Sequence, residues 1–258
     1  MSEILYYPVI DEKRTNWKKL IEKIESWFFW NIVSDIDKAN AILVWWWDGF
    51  MIRTVKKHMD SGKIFFGLNC GTLWFLLNDF DSELPNTLEE LDIVRWYCLD
   101  VDILKYNWER IHTQAINDVV IWWNILDYFN FQIEWKSFSE SIKWTWLIVS
   151  TSFGSSGYWL SNGWPVMPIQ SELFWIMWIA AKPFNYHILK NQNIKIISKW
   201  RQKTLVWIDW YHGKIDDVKE ISISPSKKYV ELWFLLHKDF DTKRINLSNQ
   251  KLSGLKSI

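Results

Sequence analysis

Glycine is the residue in which this sequence is poorest. Gly makes up roughly 7% of an average globular chain, yet only 9 of the 258 residues are Gly, while 22 are Trp. Trp also stands in segments such as "SNGWP" and "VWIDWYHG", where a tight turn favours a residue that can take positive φ. We hypothesise that most Trp residues occupy glycine positions, as when a gene from a code that reads UGA as glycine is translated with UGA as tryptophan. The alternative is a chain that is rich in Trp by nature, such as a sugar-binding aromatic platform.

Three other absences exclude classes of function. The chain has 2 cysteines without CxxC spacing and 5 histidines without an HExxH or HxxxH pair, so we expect neither a disulfide framework nor metal-ligating residues. Lys plus Arg equals Asp plus Glu at 30 each, so no net charge attracts nucleic acid or an anionic membrane. A signal-peptide pattern and an apolar run of about 18 residues are both missing. We therefore expect a cytoplasmic protein with neither nucleic acid nor membrane as partner.

The pattern of apolar residues changes along the chain. Strand patterns at 3–10, in "AILV" and in "KIFFGLN" alternate with helix patterns at 15–27 and in "FMIRTVKKHMD", which predicts a parallel sheet with covering helices. After about residue 100, short apolar runs separated by turn residues indicate β structure. We predict an N-terminal α/β domain that binds nucleotide phosphates (1–100, rejoined by 229–258), packed on a β-sandwich-like NAD-binding domain (101–228). NAD enters this division through the family resemblance described below.

The segment "AILVWWWDGF" at 41–50 is the first candidate site. With glycine at 45–47 it reads as a strand, a glycine-rich turn, an acidic residue and a helix. Glycine lets backbone N–H groups approach a phosphate, and the helix N-terminus adds partial positive charge. Asp48 would then stand beside bound phosphates. Two simpler interpretations are a tight turn and an Asp that caps the following helix.

With the glycines restored, the sequence resembles the NAD kinase family from about residue 40 to 215. The family motif Gly-Gly-Asp-Gly falls on Trp46, Trp47, Asp48 and Gly49. An Asn-Glu/Asp pair is seen as Asn117 and Asp118 in "AINDVVI", and "STSFGSSGYWLSNGWP" is similar to the third, hydroxyl-rich motif. The segment "GLNCGTLWFL" is similar to a further family segment, with Trp74 in its glycine position.

The resemblance implies a kinase that transfers the terminal phosphoryl group of ATP or polyphosphate to the adenosine 2′-hydroxyl of NAD, with a divalent metal such as Mg²⁺. Phosphoryl transfer needs a carboxylate that orients or deprotonates the attacking oxygen, and the resemblance gives this role to Asp48. Small-molecule nucleotides are the expected partners, and the family commonly forms dimers and tetramers, so we expect a homo-oligomer. The predicted nucleotide contacts are Trp46, Trp47, Gly49, Arg53, Asn117, Asp118, Lys143, Thr145, Ser156, Gly157, Tyr158 and Ser161.

Some of these contacts have simpler alternatives or depart from the family. Arg53 and Lys143 could be surface charges, and the Asn117–Asp118 pair could be a plain turn. Thr145 stands where many bacterial members have an Asp that contacts the nicotinamide end, and Tyr211 stands where a Gln is common. Asp48, Asn117 and Tyr158 are expected to line one cleft because all three would touch one dinucleotide.

Two rival functions stay open. Diacylglycerol and sphingosine kinases share the Gly-Gly-Asp-Gly turn, although "AINDVVI" together with "TSFGSSGY" favours a dinucleotide. If the Trp residues are genuine, the chain is a non-catalytic nucleotide-binding protein, because indole rings at 46 and 47 would occupy the space of a phosphate. We expect little activity from the sequence as written.

Overall fold

The computed structural model describes most of the chain, in two compact units. Unit 1 comprises Met1–Trp96 and Val230–Ile258, and unit 2 comprises Tyr97–Tyr229. The predicted helix at 15–27 lies outside the described residues except for Glu22, as do Trp74 and Tyr211. The described residues are 4–11, 22, 31–69, 75–78, 91–128, 130–134, 136–137, 143–164, 166–179, 186–190, 192–197, 204–209, 213–235 and 240–253.

Strands dominate both units. Besides Glu22, which is helical, the helices among the described residues are α1 (Asp48–His58), α2 (Tyr158–Ser161) and α3 (Phe240–Ser253), with 3₁₀ turns at Ile36–Lys38 and Phe153–Ser156. None of the described helices has the length and hydropathy to cross a membrane. The strands are β1 (Tyr6–Ile10), β2 (Ala41–Trp46), β3 (Ile64–Asn69), β4 (Leu91–Lys105), β5 (Arg110–Ala115), β6 (Asp118–Tyr128), β7 (Asn130–Ile133), β8 (Lys136–Ser137), β9 (Lys143–Thr151), β10 (Leu173–Ile179), β11 (Tyr186–Lys190), β12 (Ile194–Ile197), β13 (Thr204–Ile208) and β14 (Val218–Leu235).

Unit 1 is built on parallel strands in the order β1-β2-β3-β14, the last contributing its C-terminal part. Residues Ala41 to Trp45 of β2 are all buried, as expected for a parallel strand that is covered on both faces. Trp45 packs in this core with Tyr6, Phe66 and Trp233. Helix α1 begins where β2 ends, so its N-terminus lies at the carboxyl edge of the sheet, the edge at which α/β sheets commonly bind ligands.

The segment 75–78 is tied to this sheet by the buried side chain of Asn78. Its amide nitrogen donates to the carbonyl oxygens of Gly67 and Trp233, both at 3.0 Å, and its oxygen accepts the Leu235 N–H at 2.9 Å. The Asn78 N–H also donates to Gly67 at 2.8 Å. One amide thereby joins β3 to β14 and fixes the segment next to Asp48.

Unit 2 is formed by antiparallel strands in two layers. One sheet has the order β11-β10-β9-β6-β13, and the other strands include the β4–β5 hairpin and the series β14-β12-β7-β8. Both sets contribute to one apolar core, with Val119, Ile121 and Val149 from the first and Val101 and Ile196 from the second. The fold class is therefore confirmed as mixed sheets with few helices. How the two units are arranged, and how function is divided between them, stays a prediction.

The β4–β5 turn holds a Trp in a glycine-type conformation. Trp108 has φ 69° and is 71% exposed. Its N–H donates to Lys105 at 3.0 Å, and the Lys105 N–H donates to Glu109 at 2.9 Å. A type I turn followed by one left-handed residue is a common hairpin geometry, and Gly favours that last position. Trp108 therefore fits the glycine hypothesis on backbone geometry.

The other described tryptophans do not share this feature. Trp108 is the one Trp with positive φ in the part of the chain that the structure describes. Trp47 has φ −144°, an extended conformation open to any residue. In "SNGWP" the positive φ belongs to Gly163, at 89°. The expectation that Trp164 needs positive φ is thus wrong, because the turn already contains a glycine where it is required.

Replacing Trp108 tests this turn. Trp108→Gly and Trp108→Ala both remove the indole, including its contact with the Lys219 ammonium 3.9 Å from the ring centroid. Only Ala keeps a Cβ in the left-handed region, which costs about 1–2 kcal/mol. We expect the Gly variant to exceed the Ala variant by about 1 kcal/mol in the free energy of unfolding, measured by urea denaturation. Equal stabilities would show that the turn carries no left-handed strain.

Candidate active site

Asp48 lies at the carboxyl end of β2 as the first residue of α1. Its two carboxylate oxygens accept hydrogen bonds from the backbone N–H groups of Phe75, at 2.8 Å, and Leu76, at 3.0 Å. The carboxylate is therefore held by the segment that Asn78 anchors. Trp47 is the N-cap of α1 and its side chain makes no capping hydrogen bond. The simpler interpretation of Asp48 as the helix cap is not what the structure shows.

The electrostatic surroundings of Asp48 keep its proton affinity high. Burial raises the pKa of Asp48 to about 6, while the hydrogen bonds from Phe75 and Leu76 and the charges of Arg244 and Lys243 act in the opposite direction. Burial also lowers the pKa of Arg244 to about 10, so Arg244 stays cationic at neutral pH. Asp48 is consequently ionised above about pH 6 and able to accept a proton near neutrality.

Trp47 covers the first turn of α1. A Cβ placed on Gly49 would lie 2.8 Å from the Trp47 ring, so the indole sits directly over this glycine. The Arg53 guanidinium lies 5.4 Å from the Trp47 ring centroid and 5.5 Å from that of Phe50. The indole thus lies against the first turn of α1, the end of the helix whose N–H groups could bind an anion. Trp46 is described only as the last residue of β2.

Arg53 is already engaged inside unit 1. One of its guanidinium nitrogens lies 3.7 Å from an Asp11 carboxylate oxygen. This pair sits at the carboxyl end of β1, close to the same sheet edge. A role of Arg53 toward phosphate stays a prediction and would require the guanidinium to exchange or share this partner.

In unit 2 the predicted pair forms the start of β6. Asp118 begins the strand and pairs in register with Ser150 of β9. The Asn117 amide nitrogen donates to the Asp118 carboxylate at 3.0 Å. Thr151 donates its N–H, at 3.0 Å, and its hydroxyl, at 3.2 Å, to the Asn117 carbonyl oxygen. The turn before β6 is therefore tightly specified, beyond what a plain surface turn needs.

Asp118 is a buried carboxyl group, and only one of its two oxygens accepts a hydrogen bond from the described residues. Its side chain is 1% exposed, and Oδ1 has no hydrogen-bond partner among the described residues. Burial, and next the charge of Asp209, raise the pKa of Asp118 to about 8, while the hydrogen bond from Asn117 opposes them. A buried polar atom without a partner is costly, so this oxygen is suited to a hydrogen bond with a ligand.

The third motif packs on the Asn117 turn. A Cβ on Gly154 would collide with the Ser150 hydroxyl and the Asn117 carbonyl, and one on Gly157 would lie 3.9 Å from the Asn117 amide nitrogen. Burial, and next the charge of Asp118, raise the pKa of Tyr158 to about 12, which places this phenol near Asp118. The structure thus brings together Asn117, Asp118, Gly157 and Tyr158, which lie apart in the sequence.

Other predicted contacts in unit 2 are placed differently. Ser156 donates its hydroxyl to Phe153, at 3.3 Å, and Ser161 donates to Gly157, at 3.0 Å, so both stabilise the motif locally. Thr145 donates to Ile179 at 3.4 Å. Thr145 lies six residues before Thr151 on β9, roughly 20 Å along the strand, and Lys143 is two residues farther. Thr145 and Lys143 do not join the Asn117 cluster within this unit.

Three residues that shape the site were not predicted from the sequence. Arg244 is 1% exposed on α3 and supplies positive charge to Asp48, and Asn78 anchors the segment that binds Asp48. Asp209, at the end of β13, binds the backbone of the Asn117 turn. The "IDW" segment was the available signal for Asp209, but the partners of all three residues lie far away along the chain. Asp48 belongs to unit 1 and the Asn117 cluster to unit 2, so their common cleft stays a prediction.

Comparisons with known proteins point to one family. The chain is 28% identical over 203 residues to the NAD kinase of Rhizobium meliloti (strain 1021), covering 75% of this chain and 78% of that protein. It is 24% identical over 237 residues to the NAD kinase of Rickettsia prowazekii (strain Madrid E), covering 88% and 91%. No protein-family model matches the chain.

Solved structures share the fold. An NAD kinase from Archaeoglobus fulgidus in complex with ATP aligns with a TM-score of 0.72 at 17% identity, covering 98% of this chain and 100% of that one. Yeast NADH kinase complexed with NADH aligns with a TM-score of 0.76 at 15% identity, covering 99% and 89%. At these identities, the two structures show a shared fold.

Uncovering α1 tests its N-terminus as a phosphate site. Trp47→Gly removes the indole above Gly49, and Gly is acceptable at an N-cap. We expect the dissociation constants of ATP and inorganic pyrophosphate, measured by calorimetry, to fall by about tenfold or more, because phosphate can then reach the helix N–H groups. Trp108→Gly, in the β4–β5 turn, is the matched control and should leave both constants unchanged. An unchanged affinity in Trp47→Gly would contradict the phosphate site.

Proposed function

We propose that this protein transfers the terminal phosphoryl group of ATP, or of polyphosphate, to the adenosine 2′-hydroxyl of NAD. Relatives named NAD kinase, aligned over most of the chain, support ATP-dependent phosphorylation of NAD. The observation that carries the proposal is Asp48, a carboxylate fixed by two backbone N–H groups at the start of α1 and ionised above about pH 6.

Asp48 is the proposed base. Its carboxylate accepts the proton of the 2′-hydroxyl while that oxygen attacks the γ-phosphorus. A bond forms between the 2′-oxygen and phosphorus, and the bond from phosphorus to the β–γ bridging oxygen breaks, so that ADP leaves. The hydrogen bonds from Phe75 and Leu76 keep the carboxylate oriented, which reduces the reorganisation needed in the transition state.

The phosphate side of the reaction falls to the N-terminus of α1. This helix end has no side-chain cap, so its N–H groups and its dipole are suited to phosphate oxygens. No group of three or more His, Cys, Asp or Glu within the described ranges could hold a metal ion. We propose that a divalent metal such as Mg²⁺ would enter with the phosphates of ATP, as Mg²⁺ commonly does, and would neutralise part of their charge.

NAD recognition is proposed for the cluster in unit 2. The unpartnered Asp118 oxygen would bind a ribose hydroxyl, and the Asn117 amide would add a second polar contact. Tyr158 offers a ring that can pack against a base. Cytoplasmic location and a homo-oligomeric state, dimer or tetramer, stay predictions.

The sequence as written supports the second alternative, a nucleotide-binding protein with weak activity or none. The Trp47 indole covers the helix end that phosphate would use. Trp45, in contrast, is 1% exposed and packs in the core of unit 1, so glycine at 45 would leave a cavity in this structure. A chain with glycine only at 46 and 47 therefore separates the phosphate site from core packing.

The glycine hypothesis predicts recovery of activity. The glycine form has Gly at 45–47, 74, 144, 146, 159 and 164, and the two-glycine form has Gly only at 46 and 47. With ATP, Mg²⁺ and NAD we expect NADP formation to rise from near background in both forms, because the helix end is free. Asp48→Asn in either form should then lower the rate by a factor on the order of 10² or more.

Two controls separate the alternatives. Replacing NAD by a lipid alcohol tests the diacylglycerol or sphingosine kinase reading, and we expect no phosphorylation of the lipid. Replacing ATP by polyphosphate identifies the donor. Equal rates of NADP formation in the written chain and the glycine form would contradict the glycine hypothesis. An active form whose rate is unchanged by Asp48→Asn would contradict the role of Asp48 as the base.

The pH dependence of kcat tests the charge of Asp48. Because Asp48 must be ionised to accept a proton and its pKa is about 6, kcat at saturating NAD should fall about tenfold for each pH unit below about 6. Arg244→Met removes a positive charge that lowers this pKa, so the acid limb should move to higher pH. Asn249→Ala, an exposed change on the same helix, should leave the limb in place. An acid limb of the kcat profile at the same pH in Arg244→Met would contradict the proposed effect of Arg244 on the pKa of Asp48.

A further inference from the structure

The carboxylate of Asp209 binds three consecutive backbone N–H groups at the start of β6. Asp209 Oδ1 accepts from Ile116 at 3.0 Å, from Asn117 at 2.7 Å and from Asp118 at 3.2 Å, and Oδ2 accepts from Ile116 at 3.2 Å. In return, the Asp209 N–H donates to the Asp118 carbonyl oxygen at 2.9 Å. Three N–H groups that converge on one carboxylate stabilise its ionised form.

The backbone of Asp209 is specialised for this position. Its φ of 54° is left-handed, a conformation that Asp and Asn adopt more readily than other non-glycine residues. The residue follows directly on β13, whose last residue, Ile208, pairs in register with Val119 of β6. The side chain is thereby directed back along the start of the neighbouring strand, and the residue is 7% exposed.

The charge of Asp209 also acts on the carboxyl group of Asp118. The groups that face Asp118 from the packed elements are Asp209 after β13, Asn117 before β6 and Tyr158 on α2. Asn117 binds one Asp118 oxygen, whereas the other has no partner among the described residues. Asp209 therefore holds the backbone of the pair and, through its charge, favours a protonated Asp118.

We propose that Asp209 is a positioning residue for ligand recognition in unit 2: its carboxylate fixes the Asn117–Asp118 turn and places a negative charge beside the Asp118 carboxyl group. For NAD as the ligand, the inference rests on the function proposed above. Asp209 contacts the turn and not the reacting atoms. We therefore expect its substitution to change NAD binding rather than the rate of the chemical step.

Carboxyl carbon NMR of ¹³C-labelled Asp tests the electrostatic half of the proposal in the written chain. Asp209→Asn keeps an oxygen that accepts N–H groups and tolerates the left-handed backbone, but it removes the charge. We expect the titration midpoint of Asp118 to move down by about one pH unit or more. Asp217→Asn is the matched control, because Asp217 is another Asp of unit 2 with positive φ, at 56°, and should leave the midpoint in place.

Steady-state kinetics of the two-glycine form test the positioning half. Asp209→Ala should raise the KM for NAD by about tenfold or more, with the KM for ATP and kcat little changed, and Asp209→Asn should restore most of the loss in KM. If Asp209 were merely structural, all three constants would worsen together with the melting temperature.

The outcomes distinguish this inference from the proposed function. An unchanged Asp118 midpoint in Asp209→Asn overturns the inference whether or not the protein phosphorylates NAD. A shifted midpoint together with no NADP formation by the glycine and two-glycine forms supports the role of Asp209 and contradicts the kinase assignment. An unchanged KM for NAD in an active, folded Asp209→Ala variant overturns the positioning role.

Discussion

Hydrogen bonds from backbone N–H groups to carboxylates organise both candidate sites, where Asp48 is half-buried and Asp209 is buried. In unit 1, Phe75 and Leu76 hold Asp48, and in unit 2 Asp209 holds residues 116–118. Each bond offsets part of the cost of removing a carboxylate from water, and it also fixes the direction of the carboxylate. A surface carboxylate would keep its ordinary pKa and would rotate freely, so burial provides both the basicity of Asp48 and the order of the Asn117 turn.

Four of the described tryptophans show two different structural settings. Trp45 and Trp233 are buried in the core of unit 1, where the Trp233 indole N–H has no hydrogen-bond partner among the described residues. Trp47 lies over a helix N-terminus, and Trp108 holds a left-handed turn. In the second group the conflict concerns the backbone, because one indole lies against Gly49 of the helix N-terminus and the other residue carries a Cβ into the left-handed region. The glycine hypothesis therefore rests on these positions more than on the number of Trp residues.

The fold and much of the candidate site could be predicted from the sequence where the signal is local. The buried run of β2, the helix after it and the Asn117–Asp118 pair at a strand start depend on short segments, and the structure has them at those positions. Thr145 and Lys143 were chosen from the resemblance alone, and their distance along β9 from Thr151 followed only from the strand. The extended conformation of β9 decided this point, since each residue of a strand adds about 3.3 Å.

The sequence by itself determined the shortage of glycine, the strand-to-helix turn at Asp48 and the order of the motifs along the chain. The tertiary structure alone decided the partners of the carboxylates. Phe75 lies 27 residues from Asp48, and Asn117 lies 92 residues from Asp209. A pKa depends on desolvation and on charges that are close in space, and neither can be read from neighbours in the sequence.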